Sequence, residues 1–281
     1  MKKNTRFNLK LMAAVAVLVL FQAADLLAWS RGAMLSPTRV VMEGRDRAAV
    51  VKIINPDEET NQYRISLIAM RMDESGRRQE VQDTTPEEQA VLDMIRFSPR
   101  RVTLGAKEWQ TVRIMVRKPA DLAPGEYRAH LKVVPIAPDK TSGQTEKDGD
   151  AQMSVNLNLL FAITIPVIIR HGEGGVTLTP EKPVIQTDNT GAASLQTRLS
   201  RNGSHSAFFD IFAYAQKNGQ RQKVGALLGV SIYTPNEDFI LSIPLEPGQG
   251  TGLAGQPLEL EIRDKEKRTL PLDSTWKFIL D

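Results

Sequence analysis

His130, His171 and His205 are the only imidazoles in a chain of 281 residues, and they stand 41 and 34 positions apart. None of the short spacings that bring two ligands to one metal ion is present. No cysteine occurs, which removes thiol nucleophiles, zinc–thiolate sites and disulfides together. Ser204, His205 and Asp210 are hydrolase residue types, but triads are assembled from distant positions, not from one short stretch. Gly250-Thr-Gly252-Leu-Ala-Gly255 satisfies the phosphate-cradling pattern, whose chemistry needs a strand before it and a helix after it. Gln256-Pro257 and the alternating Leu258–Ile262 follow instead, so this is a loop leading into a strand. Trp29, Trp109 and Trp276 are too scattered to line a carbohydrate cleft. The expectation is a protein that is not an enzyme, with no cofactor, no metal and no small-molecule substrate.

Strands dominate the elements between these residues. Ala33–Glu43, Ala48–Asn55 and Tyr63–Met72 read as three, with Asn55-Pro56-Asp57 as turn chemistry. Thr85-Pro86-Glu87-Glu88 is the one good helix start, with Thr85 as N-cap and Glu88 three residues on, and the helix should end by Asp93. Gln110–Val116 alternates as a half-buried strand does, with Val112, Ile114 and Val116 against Arg113 and Arg117. Pro124-Gly125 is a turn pair, after which Tyr127, Ala129, Leu131 and Val133 hold one face. Pro138–Asp150 reads as a flexible loop and Gly172-Glu-Gly-Gly175 as a linker. Beyond it, Asn218-Gly219 between Phe208–Ala215 and Val224–Ser231 signals a hairpin, and Leu258–Ile262 and Ser274–Leu280 add strands. The fold class expected is all-β: two immunoglobulin-like β-sandwich domains, 31–171 and 172–281.

Residues 1–30 read as a secretory leader. Lys2, Lys3, Arg6 and Lys10 form a positive end, and the apolar run Leu11–Phe21 is shorter than the roughly 20 residues that span a bilayer. A single membrane anchor is the competing reading, and cleavage near Ala28–Ser30 competes with cleavage after Ala24. This segment holds four of the 36 basic and one of the 33 acidic residues, so the remainder has 32 of each. A balanced mature chain gives no support to nucleic-acid binding or to a polybasic membrane surface.

Met153–Ile169 is long for a strand, with Val155, Leu157, Leu159, Phe161, Ile163 and Ile165 on one face. An ordinary core strand is one reading. The other is an edge kept apolar for a partner, since proteins usually blunt such edges.

Three stretches carry a family resemblance. They are Phe97–Val134 with its Gly125-Glu-Tyr-Arg128, the Thr38-Arg39 that precedes Val40-Val41-Met42-Glu43-Gly44, and the apolar run above. Together they resemble the first domain of PapD-like periplasmic pilus chaperones, over roughly Ala33–Arg170. The resemblance implies a periplasmic chaperone that folds and caps pilus subunits by donor-strand complementation and delivers them to an outer-membrane usher. It implies Val155, Leu157, Leu159 and Phe161 as donor residues, and Arg39, exposed in a cleft, as anchor for the subunit's C-terminal carboxylate. The family's second anchor, a lysine four residues before a near-terminal arginine, falls here on Pro166, which offers neither charge nor N–H. Arg128 is the substitute candidate, while Arg113 reads as structural. This departure, the missing cysteine pair and the Gly125-Glu-Tyr-Arg128 motif point to a non-classical branch. The rival reading is an exported structural or adhesive surface protein built from two such domains.

Overall fold

The computed structural model describes residues 32–137, 160–217, 219–249, 252–266 and 274–280. The expected leader at 1–30 and the expected donor residues Val155, Leu157 and Leu159 lie outside the described residues. In chain order the first elements are β1 (Met34–Ser36), β2 (Val40–Met42), β3 (Ala48–Ile54), β4 (Asn61–Ile68), β5 (Met70–Met72) and β6 (Arg78–Glu80). Then come α1 (Pro86–Met94), β7 (Ile95–Ser98), β8 (Arg101–Leu104), β9 (Trp109–Val116), β10 (Gly125–Ile136) and β11 (Ile163–His171). The second half holds β12 (Thr177–Pro180), β13 (Val184–Thr187), β14 (Ala193–Asn202) and β15 (Ala207–Lys217). It closes with β16 (Gln220–Ile232), β17 (Asp238–Pro244), β18 (Pro257–Asp264) and β19 (Ser274–Ile279). Among the described residues the structure is all-β apart from one short helix.

Two sheets, in the orders β1-β3-β9-β7 and β2-β11-β10-β4-β8, enclose one core. Alternation builds it: Val112, Ile114 and Val116 of β9 face Ala129, Leu131 and Val133 of β10 across the interior. The second pair is β12-β14-β13, with β17 also on β14, and β16-β15-β18-β19. Lys217 pairs with Gln220, so β15 and β16 form the hairpin that Asn218-Gly219 in the sequence signals. Thr85 and Glu88 complete a reciprocal cap at the start of α1, with Pro86 in the first turn.

The expected single strand Ala33–Glu43 is two. β1 pairs with β3 in one sheet, whereas β2 runs parallel to β11 in the facing sheet. Pro37, lacking an N–H, cannot continue a ladder, and the chain changes sheets there. Tyr63–Met72 also divides, and its last part joins β6 in a separate two-stranded ribbon. That ribbon leaves the first sandwich and packs on the second half. Met72 lies in the second core, Ile240 N–H donates to Glu74 O at 2.7 Å, and Asn236 Nδ2 donates to Met72 O at 2.8 Å.

The Gly172–Gly175 stretch is packed, not loose. A Cβ on Gly174 would lie 2.3 Å from Ser204 Oγ, and one on Gly203 would lie 2.2 Å from Gly175 O. Gly203 also has φ +115°, which side chains rarely adopt. Gly203→Ala is therefore expected to destabilise by about 2–3 kcal/mol in urea denaturation. Gly44→Ala, at φ +52° in open space, should show backbone strain alone and lose less. Equal losses would mean that the contact between these two turns contributes nothing.

Candidate functional site

β11 is paired unequally on its two sides. Against β10 the register runs unbroken from Val133↔Ile163 to Gly125↔His171. On the other side β2 covers only Val167–Ile169. Ile163–Pro166 therefore have no neighbouring strand on that side among the described residues. Ile165 is buried and Ile163 half-buried, both packed into the chain's own core. Two residues earlier, on the same alternation, Phe161 is 52% exposed, next to an exposed Leu160. The row of apolar side chains thus turns from core to open surface at Phe161, the only expected donor residue among those described.

Arg39 sits where this open edge ends, immediately before Val40, which pairs with Val167. The expectation of an exposed arginine is corrected here. Its side chain is only 9% exposed, and Nε donates to Glu266 Oε1 at 2.8 Å. Its guanidinium lies over the rings of Phe208 and Tyr233, with centroid distances of 4.9 and 5.4 Å. Arg128 lies over the same Tyr233 ring at 4.2 Å, so the structure brings the two anchor candidates to one tyrosine. The terminal nitrogens of Arg128 donate to the carbonyls of Thr234 (3.1 Å) and Met70 (3.2 Å), and Nε is buried without a partner. Burial pulls this guanidinium down to about 10. Arg113, on β9, lies in the other sheet, on its exposed face.

Arg170, given no role by sequence reasoning, is the charge centre of the cleft. Its side chain is 4% exposed and meets Glu126, directly opposite in the β10–β11 register, as well as Glu43 and Glu266. Nε lies 3.0 Å from Glu126 and Nη2 lies 2.7 Å from Glu266. Burial works against the charge of Arg170, but Glu126 and Glu266 more than offset it and raise its proton affinity. Burial likewise pushes Glu126 up, yet the hydroxyl and N–H of Ser206 together with Arg170 hold it below the usual carboxylate range. Glu126 was visible as part of Gly125-Glu-Tyr-Arg128. Nothing local marked Glu266, Ser206 or Tyr233, which arrive from the second half.

His130 lies one alternation from Arg128, opposite Pro166, and is 1% exposed. Neither ring nitrogen has a hydrogen-bond partner, and Tyr233 meets the ring edge-on at 6.1 Å. Burial first, then Arg128, Arg78 and Arg39, push it down to about 3. The folded state thus refuses a proton that the unfolded chain accepts below about pH 6.5. Stability should fall on acidification by about 1.4 kcal/mol per pH unit, or about 2 kcal/mol between pH 6.5 and 5. His130→Leu should flatten that slope in urea denaturation, and an unchanged slope would assign the acid sensitivity elsewhere.

The described residues contain no group of three His, Asp or Glu side chains placed to hold a metal ion, and no helix among them is long and apolar enough to cross a membrane. What the arrangement offers is a strand edge, unpaired among the described residues, that ends at a cluster of arginines.

No family model and no curated protein matches the chain. Solved structures do resemble it. The YadV chaperone is 14% identical with a TM-score of 0.48, covering 88% of this chain and 99% of that one. The CupB2 chaperone of Pseudomonas aeruginosa is 13% identical with a TM-score of 0.46, covering 88% and 100%. The CsuC–CsuE chaperone–tip adhesion subunit pre-assembly complex of Acinetobacter baumannii is 13% identical with a TM-score of 0.46, covering 89% and 99%.

Proposed function

We propose that this chain is a periplasmic, non-enzymatic chaperone of pilus assembly, divided into sandwich domains at 31–171 and 172–281. It takes up a subunit by β-strand addition and hands it to an outer-membrane usher. The observation that carries the reading is the half-open β11: among the described residues Ile163–Pro166 are unpaired on one side, with Phe161 exposed just before them. An extended segment added there gains backbone hydrogen bonds, while alternate side chains supply register. Val155, Leu157, Leu159 and Phe161 are the donors. Burying each contributes about 1.5–3 kcal/mol before ordering costs. Arg39 receives the subunit's terminal carboxylate, and a charge-assisted contact of this kind is worth about 1.5–3 kcal/mol. Arg128 adds positive charge beside it, its hydrogen bonds being directed to Thr234 and Met70.

The test is to co-express the full chain with pilus subunits and to fractionate the periplasm. A soluble one-to-one complex is expected. Recovery of the chain alone, or assembled at the cell surface, would overturn the chaperone reading and favour a structural surface protein.

A further inference from the structure

The cleft at the end of the open edge already contains a carboxylate of the chain's own. It has a volume of about 430 Å³, and its lining includes Arg39, Glu43, Arg170, Lys265 and Glu266. A guanidinium grips a carboxylate side-on through Nε and Nη2. Arg71 does so with Glu88, both contacts being 2.8 Å. At Arg39 the same edge is half used. Nε is taken by Glu266, Nη1 points to the Tyr233 hydroxyl at 3.4 Å, and Nη2 is buried with no hydrogen-bond partner. The cause is the second oxygen of Glu266, which accepts from Arg170 Nη2 at 2.7 Å. One carboxylate therefore spans two guanidiniums and leaves a buried donor open on the first. Such a donor marks a place where another acceptor belongs.

We infer that Glu266 is an internal competitor for the carboxylate site, and that Arg39 meets a partner's carboxylate in full only when Glu266 withdraws onto Arg170. The inference rests on the reading of Arg39 as the carboxylate anchor. Withdrawal leaves Glu266 neutralised, because Arg170 stays in reach. It also frees the whole Nε–Nη2 edge of Arg39 for a bidentate pair. A small free carboxylate brings too little binding energy to displace Glu266. A carboxylate carried on a strand that pairs along β11 arrives with that energy. Glu266 thus makes charge recognition conditional on strand addition.

The experiment follows the Arg39 Nε resonance of the full chain, labelled with ¹⁵N-arginine, during titration with sodium acetate. Arg39→Lys identifies the signal by its loss. The wild type should respond weakly, and Glu266→Gln should bind acetate with at least a tenfold lower Kd. Equal affinities would overturn the competition. If Glu266→Gln does not fold, Glu266→Asp serves, since it keeps a charge near Arg170 but is one methylene too short to span both arginines. Should the acetate gain appear while no pilus subunit is ever captured, the chaperone reading falls and the competition stands. Should the complex form without the gain, the competition alone falls.

Discussion

Replacing Arg170 with methionine is expected to destabilise the protein by about 3–5 kcal/mol, the cost of stranding a buried charge whose partner has been removed. The stranded group is Glu126, whose side chain is 0% exposed. With that cation gone, Ser206 and the more distant charges of Arg128 and Arg201 are left to oppose burial, and protonation becomes the cheaper solution. The deficit of Arg170→Met should therefore shrink as the pH is lowered from 7 towards 5. Adding Glu126→Gln should restore part of the loss at pH 7. Urea denaturation of the two single variants and the double variant measures this directly. Losses that add to within about 0.5 kcal/mol would show that the two residues do not act as a unit.

The largest functional effect is expected from Leu159→Asp combined with Phe161→Asp. Phe161 is half in water already, so the free protein should keep its Tm within a few degrees. In the complex the same positions would carry carboxylates into an apolar groove and forfeit about 3–6 kcal/mol of burial, before any charge penalty. Subunit affinity should fall by at least about a hundredfold, at roughly 1.4 kcal/mol per decade. Retention of the subunit on co-purification would remove the donor assignment. Loss of fold would instead place these residues in the chain's own core.

Local chemistry was legible in the residues themselves. The alternation of Val112–Val116, the Thr85–Glu88 cap and the Asn218-Gly219 turn each depend on neighbours within a few positions, and each produced its element. The site was legible only in part, because its decisive partners are remote. Arg39 was read as an exposed cleft residue on the family resemblance, and nothing near it in sequence pointed to its partner. Its carboxylate is Glu266, 227 positions away, and its ring partner is Tyr233. Arg170 was visible as a residue near a strand end, but a single arginine gives no sign that three carboxylates will converge on it. The ribbon of β5 and β6 looked like the tail of a strand. Its burial against Phe239, where a Cβ on Gly76 would come within 2.9 Å of the ring, depends on the folded second half.

That ribbon places the natural seam of the molecule away from the glycine-rich stretch. A fragment ending at His171 would leave Met72 and Ile168 without the core that buries them, and one starting at Gly172 would lack both side chains. It would also lose the acceptors of Ile240 N–H and Asn236. Each half is therefore expected to be less stable alone than within the intact chain. Heating the intact chain should yield one calorimetric transition, not two, and the smallest piece worth excising for crystallography or domain transplantation spans both halves together.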